Sequence, residues 1–580
     1  MKSEVKVCQN CKQSFAIDPE DFGFYEKMQV PPPTWCPECR MMRRWIFRCD
    51  RGLYRRPESI NNTEIFSGMP PEATMPVYSL DYWDSDAWDP LSYGRDYNFS
   101  RPFFEQFLEL MYAVPWPGKN AMNLVNSEYT NQAGYCKNTY LCFDCDETED
   151  SAYIVGCAYL KNCFDMNASF NNELSYENLF LDESYQTFFS EDCESCTNVW
   201  FSRNLIGCAD CFGCVNLRNK SYYIFNRPYT KEEYQKKLKE FNLGSYQGLS
   251  AMKKRVYEFW EQFPYKYIRG AHNENVIGEY TYHSKNAKYT YQVKETENVA
   301  YSQQLGEAND SYDYTIWGWG SELMYEAMCC GDQMQNIKFS LGCWPSSTNI
   351  QYSDDCHSSN DIFGCIGLQK KQYCILNKQY PKQEYEVLVP KIIQHMKDLP
   401  YTDARGRVYR YGEFFPVEFS PFAYNESVVN EFFPLSKEEA VKRGFLWREH
   451  EPSEYKISLK SGGLPDHIND VTEAILKEVI ECGNCKKAYR IVPAELTFYK
   501  RFSLPLPRLC HNCRHLERLK QRTPVQWWKR QCACDYAVYK NYKKHDHHPV
   551  GRCPNEFETS YASEKKEIIY CEACYQLEVI

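Results

Sequence analysis

Residues 137–168 read KNTYLCFDCDETEDSAYIVGCAYLKNCFDMNA, and similar segments begin at positions 137, 149 and 161. Units of this kind recur every 11 or 12 residues from about Asn126 to Asn216, and a second array runs from about Asn273 to Leu368. Tyr, Val, Ile and Cys are typical of the strands, while Asn, Asp and Ser bond local backbone at the corners. Two such units per turn would make each array a right-handed parallel β-helix, so the predicted fold class is mainly β with two solenoid arrays.

Composition places the chain among folded proteins rich in cysteine and tyrosine. Of 580 residues, 43% are hydrophobic, 25% charged and 16% aromatic, which excludes a long disordered chain. A formal net charge of -11 excludes a polycation that coats nucleic acid along its whole length. The sequence has no apolar run long enough to span a membrane, and its start, MKSEVKVCQNCKQ, lacks the apolar core of a signal peptide. We therefore expect a cytoplasmic protein whose 30 cysteines are metal ligands and buried thiols rather than disulfides.

The two ends of the chain carry the same cysteine pattern: C-x2-C, 24 residues, C-x2-C. An offset of 474 residues superposes the copies and also matches Asn10 with Asn484 and Arg40 with Arg514. Two such knuckles supply the four thiolates of a closed tetrahedral Zn(II) site, so each end is predicted to be a structural zinc-ribbon module. The predicted ligands are Cys8, Cys11, Cys36, Cys39, Cys482, Cys485, Cys510 and Cys513.

A further cysteine group near the C-terminus predicts another zinc site, giving about three Zn(II) ions per chain. Cys571 and Cys574 form one knuckle. The remaining ligands are to be found among Cys532, Cys534, Cys553, His545, His547 and His548. A faint N-terminal echo has Ser79 and Tyr82 in place of the knuckle, with Cys49 as the one surviving cysteine, so that copy is expected to fold without metal.

The cysteines inside the arrays have two interpretations. The run Cys208, Cys211 and Cys214 reads C-x2-C-x2-C, and further pairs are Cys142–Cys145 and Cys193–Cys196. Such runs bind zinc or iron–sulfur clusters in some proteins, and in others they are stacks of small buried thiols. The second array has Ile362 where the first has Cys211, which favours buried thiols because an essential metal would be hard to lose.

Both arrays end on related sequences. At an offset of 151 residues, Asn226 matches Asn377 and Tyr234 matches Tyr385. Each exit predicts a strand, a turn held by the asparagine, and an amphipathic helix that covers the open end of the coil. Thr230 and Glu233 fit a capping box, and Pro381 fits the first turn of the second helix.

Two other segments complete the predicted organisation. A helix from Ser100 is expected to cap the front of the first coil, and an aromatic linker with a short helix from Ser436 is expected to pack along the solenoid. The predicted domains are an N-terminal zinc module (1–83), a helical cap and linker (84–125), the first solenoid with its capping helix (126–264), the second solenoid with its capping helix (265–400), a linker (401–475) and a C-terminal zinc module (476–580).

Four parts of the sequence carry a family resemblance: WCPECRMMRR (35–44), WDPLSYGRDYNFSRPFFEQF (88–107), NLRNKSYYIFNRPYTKEEY (216–234) and the pair CPNEFETSY (553–561) and IIYCEACY (568–575). Together they resemble an uncharacterised bacterial family of zinc-ribbon proteins with Cys- and Tyr-rich solenoid repeats, known from environmental genomes. The resemblance covers most of the chain, which departs from the pattern at Ser79 and Tyr82. It implies the architecture and the zinc, and it implies no activity.

Basic residues cluster beside the knuckles. Seven arginines lie between Arg40 and Arg56 with one acid, Asp50, among them. Arginine beside exposed aromatic rings binds phosphates and stacks on bases, whereas the alternative is that these arginines pair with acids elsewhere in the fold. We expect a non-catalytic, zinc-stabilised scaffold with nucleic acid as the favoured partner. The residues predicted to contact it are Arg40, Arg43, Arg44, Arg514, Arg518, Trp527 and Trp528.

Two alternatives remain open at the sequence level. A structural or assembly protein would bind other proteins along the solenoid, and the excess of tyrosine fits an interface. A carbohydrate-active β-helix enzyme would need paired carboxylates, of which the cluster Asp144, Asp146, Glu147 and Asp150 is the one candidate. Metallohydrolase, phosphate-binding-loop and serine-hydrolase motifs are missing from the sequence, so no catalytic residue is assigned.

Overall fold

Two stacks of parallel strands form the centre of the molecule. The computed structural model describes residues 2–449, 455–538 and 541–580. One sheet has 13 strands between Ala121 and Pro228, and another has 10 strands between Gly270 and Gln379. We refer to residues 121–228 as the first stack and to residues 270–379 as the second stack.

The strands of both stacks are short, apart from one long strand in the second. Those of the first stack are Ala121–Met122, Asn131–Gly134, Phe143–Asp146, Ala152–Lys161, Phe164–Asn167, Phe170–Glu173, Tyr176–Asp182, Tyr185–Phe188, Glu191–Glu194, Thr197–Trp200, Ala209–Phe212, Ser221–Ile224 and Arg227–Pro228. Those of the second stack are Gly270–Ala271, Ile277–Tyr282, Lys285–Lys294, Glu297–Ala300, Gln303–Met328, Gln335–Leu341, Thr348–Gln351, Asn360–Phe363, Gln372–Ile375 and Lys378–Gln379.

One sequence unit makes one full turn of the coil. In the first stack Asn131 lies in register with Phe143, and Ala152 with Phe164, so the partner of each residue in the parallel strands is the one 12 positions further along. The expectation of two units per turn was therefore wrong. In the middle of the second stack the turn lengthens to 13 residues, as in the pairing of Gln335 with Thr348.

The turn closes in so few residues because the backbone bends at every third position. Asn138, Leu141, Asp144 and Glu147 have φ values of 54°, 52°, 51° and 44°, in the left-handed region. The residue after each of them points inward: Thr139, Cys142, Cys145 and Thr148 are all buried. Four triplets thus make four sides of a narrow coil. The C-x2-C spacing inside the stacks is the period of this interior and not that of a metal knuckle.

Small polar side chains and thiols satisfy the backbone inside the coil. The Ser202 hydroxyl donates to the carbonyl of Trp200 at 2.9 Å and accepts from the amide of Cys214, one turn later, at 3.1 Å. The Cys214 thiol in turn donates to the carbonyl of Phe212 at 3.4 Å. Burial raises the pKa of Cys163 to about 12, so such a thiol keeps its proton at neutral pH.

The structure supports the buried-thiol interpretation of the stack cysteines. In the part of the chain that the structure describes, no cysteine of either stack belongs to a group of three or more ligand atoms that could hold a metal ion. Cys208, Cys211 and Cys214 instead lie on three different sides of the coil interior, since successive interior positions face successive sides.

An asparagine closes the last turn of each stack. The Asn226 carboxamide accepts from the amide of Val215 and donates to its carbonyl, both at 2.9 Å. Asn377 makes the same two bonds to Ile366 at 2.8 Å. The chain then enters the helices Lys231–Glu240 and Lys382–Asp398, which contact the last strands of their stacks. Thr230 forms the expected capping box, whereas Pro381 is the N-cap residue rather than part of the first turn.

The predicted front cap of the first coil packs elsewhere. The helix Phe103–Ala113 begins three residues after Ser100, and its Phe103 ring lies 5.3 Å from the rings of both Tyr352 and Phe363 in the second stack. The prediction was wrong because it relied on the position of the helix in the sequence, next to the first coil. The apolar face of this helix can pack on either stack. The aromatic linker packs along the second stack as expected, with Phe339 and Tyr411 rings 5.8 Å apart.

The remaining elements belong to the two ends and the linkers. The helices are Pro19–Lys27, Pro37–Trp45, Leu80–Trp83, Tyr246–Trp260, Val429–Phe432, Lys437–Lys442, Pro493–Arg501, His511–Leu519 and Glu572–Val579. The short 3-10 helices are Pro90–Tyr93, Val417–Phe419, Ser461–Gly463, Ile468–Asp470 and Glu473–Lys477. The paired strands are Glu4–Val7 with Ser14–Ile17, Tyr54–Pro57 with Glu64–Ser67, Val77–Tyr78 with Trp116–Pro117, Tyr401–Thr402 with Val408–Tyr409, Tyr265–Lys266 with Ile569–Tyr570, Trp528–Gln531 with Glu556–Thr559, and Leu459–Lys460 with Ile480–Glu481 and Ala488–Tyr489. Among the helices described, none combines the length and the apolar character needed to cross a bilayer.

Candidate metal centres and the arginine contacts

The four N-terminal cysteines converge on one point. Cys8 and Cys11 lie in the turn between the strands Glu4–Val7 and Ser14–Ile17, and Cys36 caps the helix that contains Cys39. Their sulfur atoms all lie within 4.8 Å of one another, and the Cys11–Cys36 separation is 3.7 Å. Zinc–sulfur bonds of 2.3 Å in a tetrahedron place sulfur atoms about 3.8 Å apart, so the arrangement fits a structural metal.

Amide donors surround this site as they do in thiolate centres. The amide of Cys36 donates to the Cys8 sulfur at 3.2 Å, and the Asn10 side chain donates to the Cys39 sulfur at 3.3 Å. Donors of this kind stabilise sulfur in its deprotonated form.

The C-terminal copy repeats this geometry. The Cys485 and Cys510 sulfur atoms are 3.6 Å apart, and the amide of Cys510 donates to the Cys482 sulfur at 3.2 Å. Asn484 takes the place of Asn10 and donates to Cys513 at 3.5 Å. Burial opposes ionisation of Cys482, but backbone amides outweigh it and lower the pKa of this thiol to about 7.

The last cysteines separate into a tetrad and one outlier. Cys532, Cys553, Cys571 and Cys574 place their sulfur atoms within 4.8 Å of one another. The Cys553–Cys571 separation is 3.9 Å, and Asn555 donates to Cys571 at 3.4 Å. Cys534 is outside this tetrad and belongs to a second group with His545, His548 and Cys574. Each of these two groups could hold a metal ion, and the sequence could not choose between their ligands.

The positions of the N-terminal module that correspond to the C-terminal tetrad carry other residue types. In the two hairpins Tyr54 pairs with Ser67 and Trp528 with Thr559, which gives offsets of 474 and 492 for the two strands. With these offsets Glu58, Asn61, Ser79 and Tyr82 occupy the positions of Cys532, Cys553, Cys571 and Cys574. Cys49 was therefore not the surviving ligand; its thiol donates to the carbonyl of Glu426 at 3.1 Å.

The N-terminal arginines predicted to bind nucleic acid are inside the molecule. Arg40 and Arg44 share the carboxylate of Asp313 at 2.9 and 3.1 Å. Arg43 bonds Glu326 at 2.6 Å and Glu413 at 2.8 Å. All three guanidinium side chains are at most 1% exposed, and they fix the helix Pro37–Trp45 to the second stack.

The C-terminal arginines repeat the arrangement on the first stack. Arg514 and Arg518 each bond Asp165 at 2.8 Å, and Arg514 also bonds Glu495 at 3.2 Å. The two are 6% and 2% exposed. The arginine side chains of both ends cannot form the exposed phosphate-binding surface predicted from the sequence, because they are buried and paired with acids. The structure gives no support for nucleic-acid binding through these arginines. Trp527 and Trp528 are half-buried, and Trp527 packs edge-on against Tyr289.

Through these ion pairs, each end of the chain attaches one helix to the more distant stack. The helix Pro37–Trp45 of the N-terminal module contacts the second stack, whereas the helix His511–Leu519 of the C-terminal module contacts the first. Equivalent residues meet in both places: Tyr301 bonds Asp21 at 3.1 Å, and Tyr153 bonds Glu495 at 3.2 Å. We refer to the two sets of buried ion pairs around Asp313 and Asp165 as the arginine clamps.

Sequence reasoning missed the acids of the clamps. Asp165 and Asp313 occupy equivalent positions in the two stacks and are 148 residues apart, whereas equivalent residues of the two coil exits are 151 residues apart. The difference of three arises because three turns of the second stack have 13 residues, as the bonds from Met324, Met334 and Ser353 to serines 13 residues earlier show. An alignment of the two arrays that allowed such insertions would have matched the two aspartates.

The acidic cluster in the first stack has structural partners. Asp144 accepts from Arg48 at 2.7 Å, and Asp150 accepts from Asn138, one turn earlier, at 2.8 Å. Their carboxylates are thus used to hold the N-terminal module and the corner of the coil.

Comparison with known proteins adds little to this geometry. No protein-family model and no curated protein matches the chain. Among solved structures, a putative acetyltransferase from Desulfovibrio desulfuricans G20 is similar over 50% of this chain and 86% of its own, at 10% identity and a TM-score of 0.10. A TM-score of this size carries no argument about fold or function.

Proposed function

We propose that this protein is a non-catalytic, metal-stabilised scaffold that binds a basic protein surface along the first stack. The observation that carries this proposal is one exposed side of the first stack. Each of six successive turns contributes one strand segment to this side, and the outward residues of these segments form its surface. We call it the acidic face. Its outward residues include Tyr135, Lys137, Glu147, Glu149, Tyr159, Lys161, Phe170, Glu173, Glu183, Tyr185 and Glu194.

Four aromatic side chains are exposed on this face. Tyr135, Tyr159, Phe170 and Tyr185 are 57%, 52%, 46% and 39% exposed. Successive turns of a parallel stack are about 4.8 Å apart, so Tyr135 and Tyr159, two turns apart, are separated by about 10 Å. Aromatic rings of this kind are enriched at protein interfaces, where they bury a large area at a small cost in entropy.

The charge of the face indicates the chemistry of its partner. Glu147, Glu173, Glu183 and Glu194 are exposed, against two exposed lysines, Lys137 and Lys161. Like charge repels phosphate, so this surface disfavours nucleic acid and is complementary to lysine and arginine.

The rest of the architecture supports a rigid surface. The C-terminal ribbon covers another side of the first stack through the clamp at Asp165, and the helix Tyr246–Trp260 contacts the same stack, with Lys253 bonded to Glu177. A rigid strand surface loses little conformational entropy on binding.

The test is native co-purification followed by quantitative binding with the purified partner. Tyr135→Ala together with Tyr159→Ala should weaken binding by at least about tenfold, since truncated aromatic anchors commonly cost more than 1 kcal/mol each. Tyr112→Ala is the matched control, because Tyr112 is 42% exposed on the helix Phe103–Ala113, away from this face. Binding should also weaken as salt is added. Nucleic acid as the co-purifying partner, or binding that is the same in both variants, would contradict the proposal.

A further inference from the structure

The C-terminal end holds more ligand atoms than one metal ion uses. Beside the tetrad of Cys532, Cys553, Cys571 and Cys574 lies a second group of four: Cys534, His545, His548 and Cys574. All four residues of the second group are buried. The two groups share Cys574, at the first turn of the helix Glu572–Val579.

The distances in the second group suit a metal. The Cys574 sulfur lies 3.1 Å from Nε2 of His548, and the Cys534 sulfur lies 3.7 Å from Nδ1 of His545. The two ligand nitrogens of His545 and His548 are 2.8 Å apart. Zinc bound to two sulfurs and two nitrogens needs separations of about 3.3–3.8 Å, which small rotations of the side chains supply.

The surroundings of His545 provide an independent indication. Its other ring nitrogen, Nε2, lies 2.8 Å from a carboxylate oxygen of Glu578. The Glu578 side chain is 6% exposed and also accepts hydrogen bonds from the amides of Tyr542 and Lys543. A histidine that binds metal through one nitrogen usually donates from the other to a carboxylate, which fixes the ring and its tautomer. Asn541 donates to the Cys534 sulfur at 3.3 Å, as Asn10 and Asn484 do in the ribbons.

The loop that carries the histidines has no apolar core of its own. Residues 541–551 form turns and bends, and most of their side chains are exposed, His545 and His548 being the buried exceptions. Two buried imidazoles in a loop without an apolar core are stabilised when both bind one cation.

We propose that this end binds two Zn(II) ions bridged by the Cys574 thiolate: one in the four-cysteine tetrad and one held by Cys534, His545, His548 and the shared sulfur. The chain then carries four zinc ions, two in the ribbons and two in this binuclear centre. His547 is the alternative ligand, because it forms an overlapping group with His548, Cys553 and Cys574 and its Nε2 lies 3.2 Å from the Cys574 sulfur. It is exposed, whereas Cys534 is fully buried, so the buried group is the one we assign.

Zinc content of the full-length chain, measured by elemental analysis after chelator-free purification, tests the stoichiometry. We expect four zinc ions in the wild type, three in Cys534→Ser, and four in the matched control His547→Ala. Three ions in the wild type would overturn the proposal. Loss of zinc in His547→Ala with none lost in Cys534→Ser would overturn the assigned ligands.

Cobalt substitution tests the bridge without relying on a variant that might not fold. Co(II) ions joined by one thiolate are magnetically coupled, so two of the four cobalt ions should give a reduced paramagnetic resonance signal. Four uncoupled cobalt ions would refute the shared thiolate.

A conservative variant tests the role of Glu578. Glu578→Gln keeps the shape of the side chain that bonds His545 and should weaken one metal site by about 10–100-fold while the fold persists. A Glu578→Gln protein with unchanged metal affinity at every site would refute the role of Glu578.

Discussion

At the scale of the residue, the local surroundings decide what a side chain does. Cysteine belongs to a group that could hold a metal ion where a knuckle gathers four sulfurs, as at Cys8, and is a buried thiol where it follows a left-handed residue in a stack, as at Cys163. Arginine behaves in the same way. The sequence suggested that Arg40 contacts phosphate, whereas in the structure its side chain is buried in an ion pair with Asp313. The surroundings, and not the residue type, set the chemistry.

Lys338 gives a prediction at this scale. It is 6% exposed in the second stack, and burial lowers its pKa to about 8. The unfolded chain binds this proton more tightly, so ionised Lys338 opposes folding below pH 8, and the penalty fades as the pH rises towards the ordinary lysine pKa of about 10.4. Lys338→Met should therefore raise the free energy of unfolding at pH 7 by up to about 3 kcal/mol.

Thermal unfolding of Lys338→Met at pH 7 and pH 10 checks this sign. The gain should shrink at the higher pH. Lys370→Met, at an exposed corner of the same stack, should change stability little at either pH. A loss of stability in Lys338→Met at pH 7 would show that the ammonium group has a stabilising role.

At the scale of the element, the stack is a coil whose four sides are set by a period of three. Left-handed corners allow 12 residues to complete a turn, and interior Ser and Cys bond the backbone that the corners leave unpaired. The asparagines at the exits end this pattern by bonding both backbone groups of a residue in the preceding turn. Closing the last turn in this way leaves a surface on which a helix packs.

Replacing the exit asparagines should therefore destabilise the stacks. Asn377→Leu removes two hydrogen bonds to Ile366 and forces a leucine to adopt φ of 59°. We expect a loss of about 2–5 kcal/mol from the unpaired buried groups and the backbone strain. Asn226→Leu should have a similar effect in the first stack.

The control for this prediction separates backbone strain from the loss of buried hydrogen bonds, because the side-chain bonds of Asn298 are exposed to solvent. Asn298 also has a left-handed φ, 56°, but its side chain is exposed in a ladder of asparagines. Asn298→Leu should cost much less than Asn377→Leu in chemical denaturation. Equal losses in the two variants would mean that backbone strain alone is responsible.

At the scale of the molecule, the arginine clamps fasten the two ends to the two stacks in a crossed arrangement. Arg40 and Asp313 are 273 residues apart in sequence, and Arg514 and Asp165 are 349 apart. The clamps fix where each end of the chain lies on the stacks. Outward residues of the acidic face, among them Tyr135 and Glu183, remain exposed.

Removing one clamp should loosen one end of the molecule and spare the other. Asp165→Asn leaves Arg514 and Arg518 without their shared charge, and breaking a buried ion pair costs about 3–5 kcal/mol. Limited proteolysis should then cleave the C-terminal module faster, while Asp313→Asn should expose the N-terminal module instead. Asp86→Asn is the surface control. Faster cleavage of both ends in both variants would mean that the clamps do not act separately.

The sequence by itself determined the features that depend on spacing over short distances: the repeat of about 12 residues, the duplicated cysteine pairs of the two ends and the exit asparagines. Each of these is a local rule, because the ligands of a knuckle and the sides of a coil come from neighbouring residues. The tertiary structure decided the rest. The partners of Arg40 and Arg514, the packing site of the helix Phe103–Ala113, and the two groups that share Cys574 all join residues that no local pattern links. Burial beside acids turned basic residues into structural ion pairs, and that outcome depends on which surfaces meet and not on their order along the chain.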